Sequence, residues 1–263
     1  MHIFLLIFTI FIFDNKKENE YIYTQLNKKG IETIEKYKKR FPFKEPSFLK
    51  IEIVDKFDKR VPEWASGIYF NKTILLKETS LENLIKTFSH EIAHSFLDEQ
   101  INANKVPLWF EEGLAQIMAG EEEDFITSFI LNLTGGAPLE DLENSFPSSI
   151  IGKRLAYAKS RAVVLKMIDK IGWDEFYVFL FNLGKGIPFG SAFFNSFGEN
   201  LYSFEKNFKK DRFYKVIIYI GTGSLFFWFF LAILLVIAYY LRRKKNKNLV
   251  KSWEENDTDL PYF

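Results

Sequence analysis

Only three histidines occur in the 263 residues, and two of them, His90 and His94, belong to one pentapeptide, His90-Glu91-Ile92-Ala93-His94. Residues four apart on an α-helix lie one above the other, so a helix here would aim both imidazoles at one point. A pair of imidazoles at that spacing can grip a single metal ion. The glutamate between them can then act as general base toward a water held by the metal. The flanks support a helix. Ser80 is an N-cap with Glu82 and Asn83 in the first turn. Leu81, Leu84, Ile85, Phe88, Ile92 and Phe96 recur at helical period. At about 100° per residue, both histidines fall opposite Leu81, off that apolar stripe.

Residue usage narrows the chemistry. The chain has no cysteine, so thiolate metal sites, disulfides and a cysteine nucleophile are excluded. A formal net charge of +1 gives no reason to expect a nucleic-acid partner. The remaining histidine, His2, lies in the apolar N-terminus, so a third ligand must be a carboxylate. Asp98, Glu99, Glu111 and Glu112 are the near candidates. Asp98 stands one turn beyond His94 on the same helix, a poor position from which to close a tetrahedron. Glu111 and Glu112 begin the next helix, PLWFEEGLAQIMAG, which starts at Pro107 and can cross the first. Gly113 would let those helices approach closely. Glu111 sits nearer the apolar side, as a rim or substrate contact. Gln116, one turn after Glu112, could orient a histidine through its amide oxygen.

Around this centre, Lys16–Arg40 carries Tyr21, Leu26, Ile31, Ile34 and Tyr37 at helical spacing. Leu49–Val54 alternates like a strand, and Gly67–Leu76 contains Asn71-Lys72 as a hairpin turn. Leu133–Ser149 is rich in glycine, proline and serine and reads as a loop. From Gly152 to about Asn207 the chain reads as helical.

The ends are apolar. Ile3–Phe13 has the length of a signal-peptide core, although no basic residue precedes it and no small-residue cleavage site follows. Val216–Leu241 carries no charge and reads as a transmembrane helix, with Tyr219, Tyr239 and Tyr240 at its interfaces. Lys206, Lys209, Lys210, Arg212 and Lys215 crowd one flank. The denser cluster Arg242-Arg243-Lys244-Lys245-Asn246-Lys247 crowds the other and favours a cytoplasmic tail.

HEIAH followed by PLWFEEGLA resembles the gluzincin metallopeptidases, in which HExxH precedes a W-x-x-E-G-x-A segment, and in particular the peptidase MA-like family. Further shared marks follow in order: Trp64-Ala65-Ser66-Gly67, then Gly136-Ala137-Pro138-Leu139 with Leu142 and Phe146, then Ala156-Tyr157-Ala158-Lys159-Ser160. The resemblance covers roughly residues 50–212. It implies one zinc ion per chain on His90, His94 and Glu112, with Glu91 as general base. It also implies Tyr157 as a hydrogen-bond donor to the developing oxyanion. The implied fold is α+β: a thermolysin-like gluzincin core, with a small antiparallel-edged sheet followed by a mostly helical half, plus one C-terminal transmembrane helix.

The expected organisation is 1–13 as signal peptide or short anchor, 14–215 as peptidase domain, 216–241 as transmembrane helix and 242–263 as basic cytoplasmic tail. The expected function is a membrane-tethered zinc peptidase acting on a peptide or protein. It would be anchored once in the cell membrane's lipid bilayer, with its catalytic domain extracytoplasmic. The alternative is an inactive peptidase-fold binding module, since a fold alone does not carry activity.

Overall fold

The computed structural model describes residues 9–13, 20–58, 65–101, 106–222 and 225–257. Its sheet is small and mixed. Four strands, β1 (Ile10–Phe13), β2 (Phe48–Val54), β3 (Gly67–Phe70) and β4 (Thr73–Lys77), lie in the order β1-β2-β4-β3. β1 and β2 are parallel, as are β2 and β4, while β3 and β4 are antiparallel. The β3–β4 turn is Asn71-Lys72, both left-handed with φ of 46° and 62°, the conformation a two-residue hairpin needs. Parallel pairing of β1 and β2 requires a crossover, supplied by helix α1 (Glu20–Arg40).

All other described elements are helical: α2 (Leu81–Ile101), α3 (Leu108–Ala119), α4 (Phe125–Thr134), α5 (Ile150–Gly184), α6 (Phe189–Phe197), α7 (Leu201–Thr222) and α8 (Leu225–Asp257), with a 3-10 turn at Glu140–Leu142. α5 joins two helices across Gly172, whose φ of 78° is left-handed. The chain divides into two units, Met1–Asp211, which contains the sheet and α1–α6, and Arg212–Phe263.

In the first unit, the stripe of α2 is buried as its period requires. Leu84, Phe88, Ile92 and Phe96 are fully buried, each contributing about 1.5–3 kcal/mol. α3 crosses α5 at Gly113, where an added Cβ would lie 2.4 Å from the Ser160 carbonyl oxygen. Only glycine permits that approach, and it places Glu112 over α2.

Three expectations are corrected. The α+β gluzincin architecture with an antiparallel-edged sheet and a C-terminal transmembrane helix gives way to a mostly helical chain with a small mixed sheet. The physical reason is that two of the three strand pairings are parallel: α1 carries the chain from β1 across to β2, and the connection through β3 brings β4 beside β2 in the same direction. The expected transmembrane helix 216–241 is not supported. Its described residues belong to α7, which carries charges up to Lys215, and to α8, whose uncharged stretch runs from Leu225 to Leu241, short of the about 20 residues a span needs. Among the described residues, no helix is long and apolar enough to cross a membrane. The buried face of α1 is Tyr23, Leu26, Ile34 and Tyr37, whereas Tyr21 and Ile31 are exposed.

Residues 1–8 of the expected signal or anchor, and Trp64, lie outside the described residues. The last four residues of that N-terminal segment form β1.

Candidate metal centre and cleft

α2 carries His90, Glu91 and His94 on the side turned from its apolar stripe, and α3 brings Glu112 against them. The two Nε2 atoms lie 3.1 Å apart. Glu112 Oε2 stands 3.3 Å from His90 Nε2 and 3.7 Å from His94 Nε2. The same oxygen is buried and accepts no hydrogen bond of good geometry. Zinc–ligand bonds of about 2.0–2.1 Å put the corners of a tetrahedron roughly 3.4 Å apart. The three donor atoms match that spacing, and a buried oxygen lacking a hydrogen is what a cation would satisfy. The donor set, two imidazoles and one carboxylate, suits zinc and leaves a fourth position for water. The four candidate third ligands thus separate. Asp98 accepts a hydrogen bond from the Tyr69 hydroxyl, Glu99 pairs with Lys44 and Lys72, and Glu111 binds a histidine; only Glu112 joins the cluster.

Each imidazole is held from behind by its own carboxylate. Glu111 Oε1 lies 2.8 Å from His94 Nδ1, and Glu121 Oε1 lies 3.0 Å from His90 Nδ1. A proton on Nδ1 then directs the Nε2 lone pair forward and raises its basicity. Glu111, expected at the rim, is therefore a histidine-orienting group. Gln116 is buried, and the orienting role expected of it belongs to Glu111 and Glu121. What Gln116 supplies is its carbonyl, which accepts the Glu121 N–H at 3.0 Å. Glu121 lies just past the end of α3, where helical periodicity does not reach. The signal for it is Gly120, whose left-handed C-cap (φ 74°) turns the chain back toward α2. Replacing Glu121 with glutamine is expected to lower zinc affinity about 10–100-fold, measured by competition with a chelating dye.

Electrostatics follow from burial. Burial opposes charge on His90, but the adjoining Glu112 and Glu121 carboxylates outweigh it and push its pKa up to about 10. His94 is likewise raised: burial opposes its charge, and Glu111 and Glu112 prevail. Glu112 is held far below the usual carboxylate range; burial works against this, and the attraction of the two adjoining histidines wins. Glu91, 6% exposed, is pushed up by burial, against the pull of the two histidines. A carboxylate raised toward neutrality is a better proton acceptor.

These groups sit in a cleft of about 1210 Å³. One wall is β3 with the preceding Ala65 and Ser66, and the opposite wall includes Tyr157, Arg154 and the acidic turn Glu121–Asp124. Burial, reinforced by the charges of Glu112, Glu91 and Glu121, keeps the Tyr157 phenol protonated, hence a donor. Its ring meets Phe146 edge-on at 4.9 Å. Along β3, Ser66 accepts the Lys77 N–H. Backbone polar groups alternate in direction along an antiparallel pair, so those of Gly67 and Tyr69 point to the open edge beside the cluster.

No family model, curated protein or solved structure matches the chain.

Proposed function

We propose that the chain is a zinc-dependent peptidase of the HExxH kind that its motifs resemble. The observation that supports this best is the convergence of His90, His94 and Glu112 from two helices, with buried Glu91 beside them, in a cleft bordered by a free strand edge. A zinc ion bound by those three residues would acidify a water and polarise the substrate carbonyl.

The chain's own groups do the rest. Gly67 offers outward backbone groups to which an extended peptide can add as a strand, fixing the scissile bond over the cluster. Glu91 takes the proton from the attacking water and returns it to the leaving amine. Tyr157 donates a hydrogen bond to the carbonyl oxygen as negative charge grows there. Glu111 and Glu121 keep the two imidazoles oriented throughout. A purely structural metal site has no use for a buried carboxylate in the place of Glu91.

Metal analysis of the purified full chain together with peptide-library cleavage tests the reading. About one zinc per chain is expected, with cleavage abolished by a strong chelator and restored by added zinc. Stoichiometric zinc with no cleavage of any library member would instead favour a metal-holding binding module.

A further inference from the structure

β3 is only four residues long and, among the described residues, is paired on one side alone, by β4. A strand so short gains little from its ladder, yet it lies directly against the general base. An added Cβ at Gly67 would fall 2.9 Å from Glu91 Oε1 and 2.4 Å from Thr87 Cγ2, so strand backbone and carboxylate are in contact. The Tyr69 N–H, directed to the open edge, hydrogen-bonds the Glu91 carboxylate. The same residue's hydroxyl donates to Asp98 Oδ2 at 3.0 Å. Burial and the neighbouring Asp98 charge keep that phenol protonated. Glu91 and Asp98 are seven residues apart on α2, two turns along one face. Tyr69 therefore spans two points on one helix face, its backbone at the base and its ring tip two turns on.

We propose that Tyr69 and Asp98 form a clasp that seats edge strand β3 on α2 and thereby positions the Glu91 carboxylate. Both are positioning residues. The kinetic consequence rests on the peptidase reading; the clasp itself does not. Without the hydroxyl–carboxylate link, β3 keeps β4 and its backbone contacts at Thr87 and Glu91 but loses its second point on α2, and the Tyr69 N–H no longer meets Glu91 at a fixed place. Misplacing a reacting group by a fraction of an ångström costs rate without weakening ground-state binding. Because β3 also borders the cleft, the clasp makes one strand serve substrate and base together.

The test uses full-length protein carrying Tyr69→Phe, Asp98→Ala, both together, or Asp98→Asn. Hydrogen exchange read by mass spectrometry is the activity-independent arm. Amides of residues 67–70 are expected to exchange about tenfold faster in Tyr69→Phe and in Asp98→Ala, with α2 amides unchanged. In the kinetic arm, each of these variants is expected to lose about tenfold in kcat, with KM and zinc content kept. The double variant should fall no further than either single, since both delete one link. Asp98→Asn retains an oxygen that accepts the phenol hydrogen bond, and should keep most of the rate. Unchanged exchange at 67–70 in both single variants overturns the clasp. Faster exchange with unaltered kcat overturns its role in placing Glu91. Should the wild type cleave nothing, the peptidase reading fails by itself, and the exchange arm still decides for or against the clasp.

Discussion

Glu91→Gln is expected to lower kcat/KM for peptide cleavage by about 10²–10⁴ while the protein still binds one zinc ion. The two halves of this expectation come from different atoms. On the proposed mechanism, metal affinity would rest on His90 Nε2, His94 Nε2 and Glu112 Oε2, none of which the substitution touches. Proton transfer would rest on Glu91, which is buried and in contact with β3. Glutamine has the same shape and can turn its amide oxygen to the Tyr69 N–H, so the local packing survives. What it cannot do is accept a proton from water or return one to an amine. Kinetics on a cleaved peptide, with metal analysis of the same preparation, check both halves. Zinc lost in parallel with rate would make Glu91 a ligand, and an unchanged rate would remove it from the reaction.

Lys159→Met is expected to cost about 3–5 kcal/mol of stability, read as a shift of the urea midpoint. The Lys159 side chain is fully buried on α5, where Nζ donates to Glu205 Oε1 at 2.5 Å and to the Ala137 carbonyl. Glu205 also accepts from the Leu139 N–H at 3.3 Å and pairs with Lys209 at 3.1 Å. Removing the lysine takes the closest partner from a largely desolvated carboxylate, leaving it Lys209 and the Leu139 N–H, and frees a carbonyl, which is the expensive way to break a buried pair. Replacing both members, Lys159→Met with Glu205→Leu, should recover most of the loss. The two partners differ in how they titrate. Lys159 is lowered because burial outweighs its partner. Glu205 is lowered because Lys159 outweighs burial. The Glu205 direction governs acid behaviour: its contribution is present above the unfolded carboxylate value of about 4.3 and is lost as pH falls through its lower folded value. Acid unfolding of Lys159→Met should show a smaller component of this kind, since Lys209 and the Leu139 N–H still lower Glu205. The pair also pins Ala137 and Leu139 at the start of the loop that carries Phe146 to Tyr157, so this substitution should blunt activity as well.

The contrast between these two sites marks what could be read in the chain beforehand. α2 was legible throughout because cap, stripe and histidine spacing agree: the Leu84 N–H meets the Ser80 carbonyl at 2.9 Å, and the histidines face away from Phe88 and Ile92. Gly113 was expected to let α3 approach α2, but its close crossing is with α5 at Ser160, a partner that no local pattern names. The third-ligand position was legible only by resemblance, since Glu111 and Glu112 are neighbours and the phase of a helix of twelve residues decides between them. Glu121 depends on one left-handed glycine, and Lys159–Glu205 joins residues 46 apart in sequence, so no local pattern announces either. Parallel pairing of β1 with β2 was hidden for the same reason: alternation reveals a strand but not its neighbour.

The place of β1 bears on how the protein can be trimmed. Phe11 lies over the bare backbone of Gly30, where an added Cβ would come within 2.6 Å of its ring, and its ring centroid is 5.7 Å from that of Phe88 on α2. A protease that cut after Phe13 would remove an outer strand and its aromatic plug together. It would leave a hole above the helix that bears His90 and His94, and would turn β2 into an uncovered border open to pairing with other chains. A shortened version beginning at residue 14 is thus expected to differ from the intact protein in solubility and in the firmness of its histidine helix, even though every residue assigned to chemistry is still present.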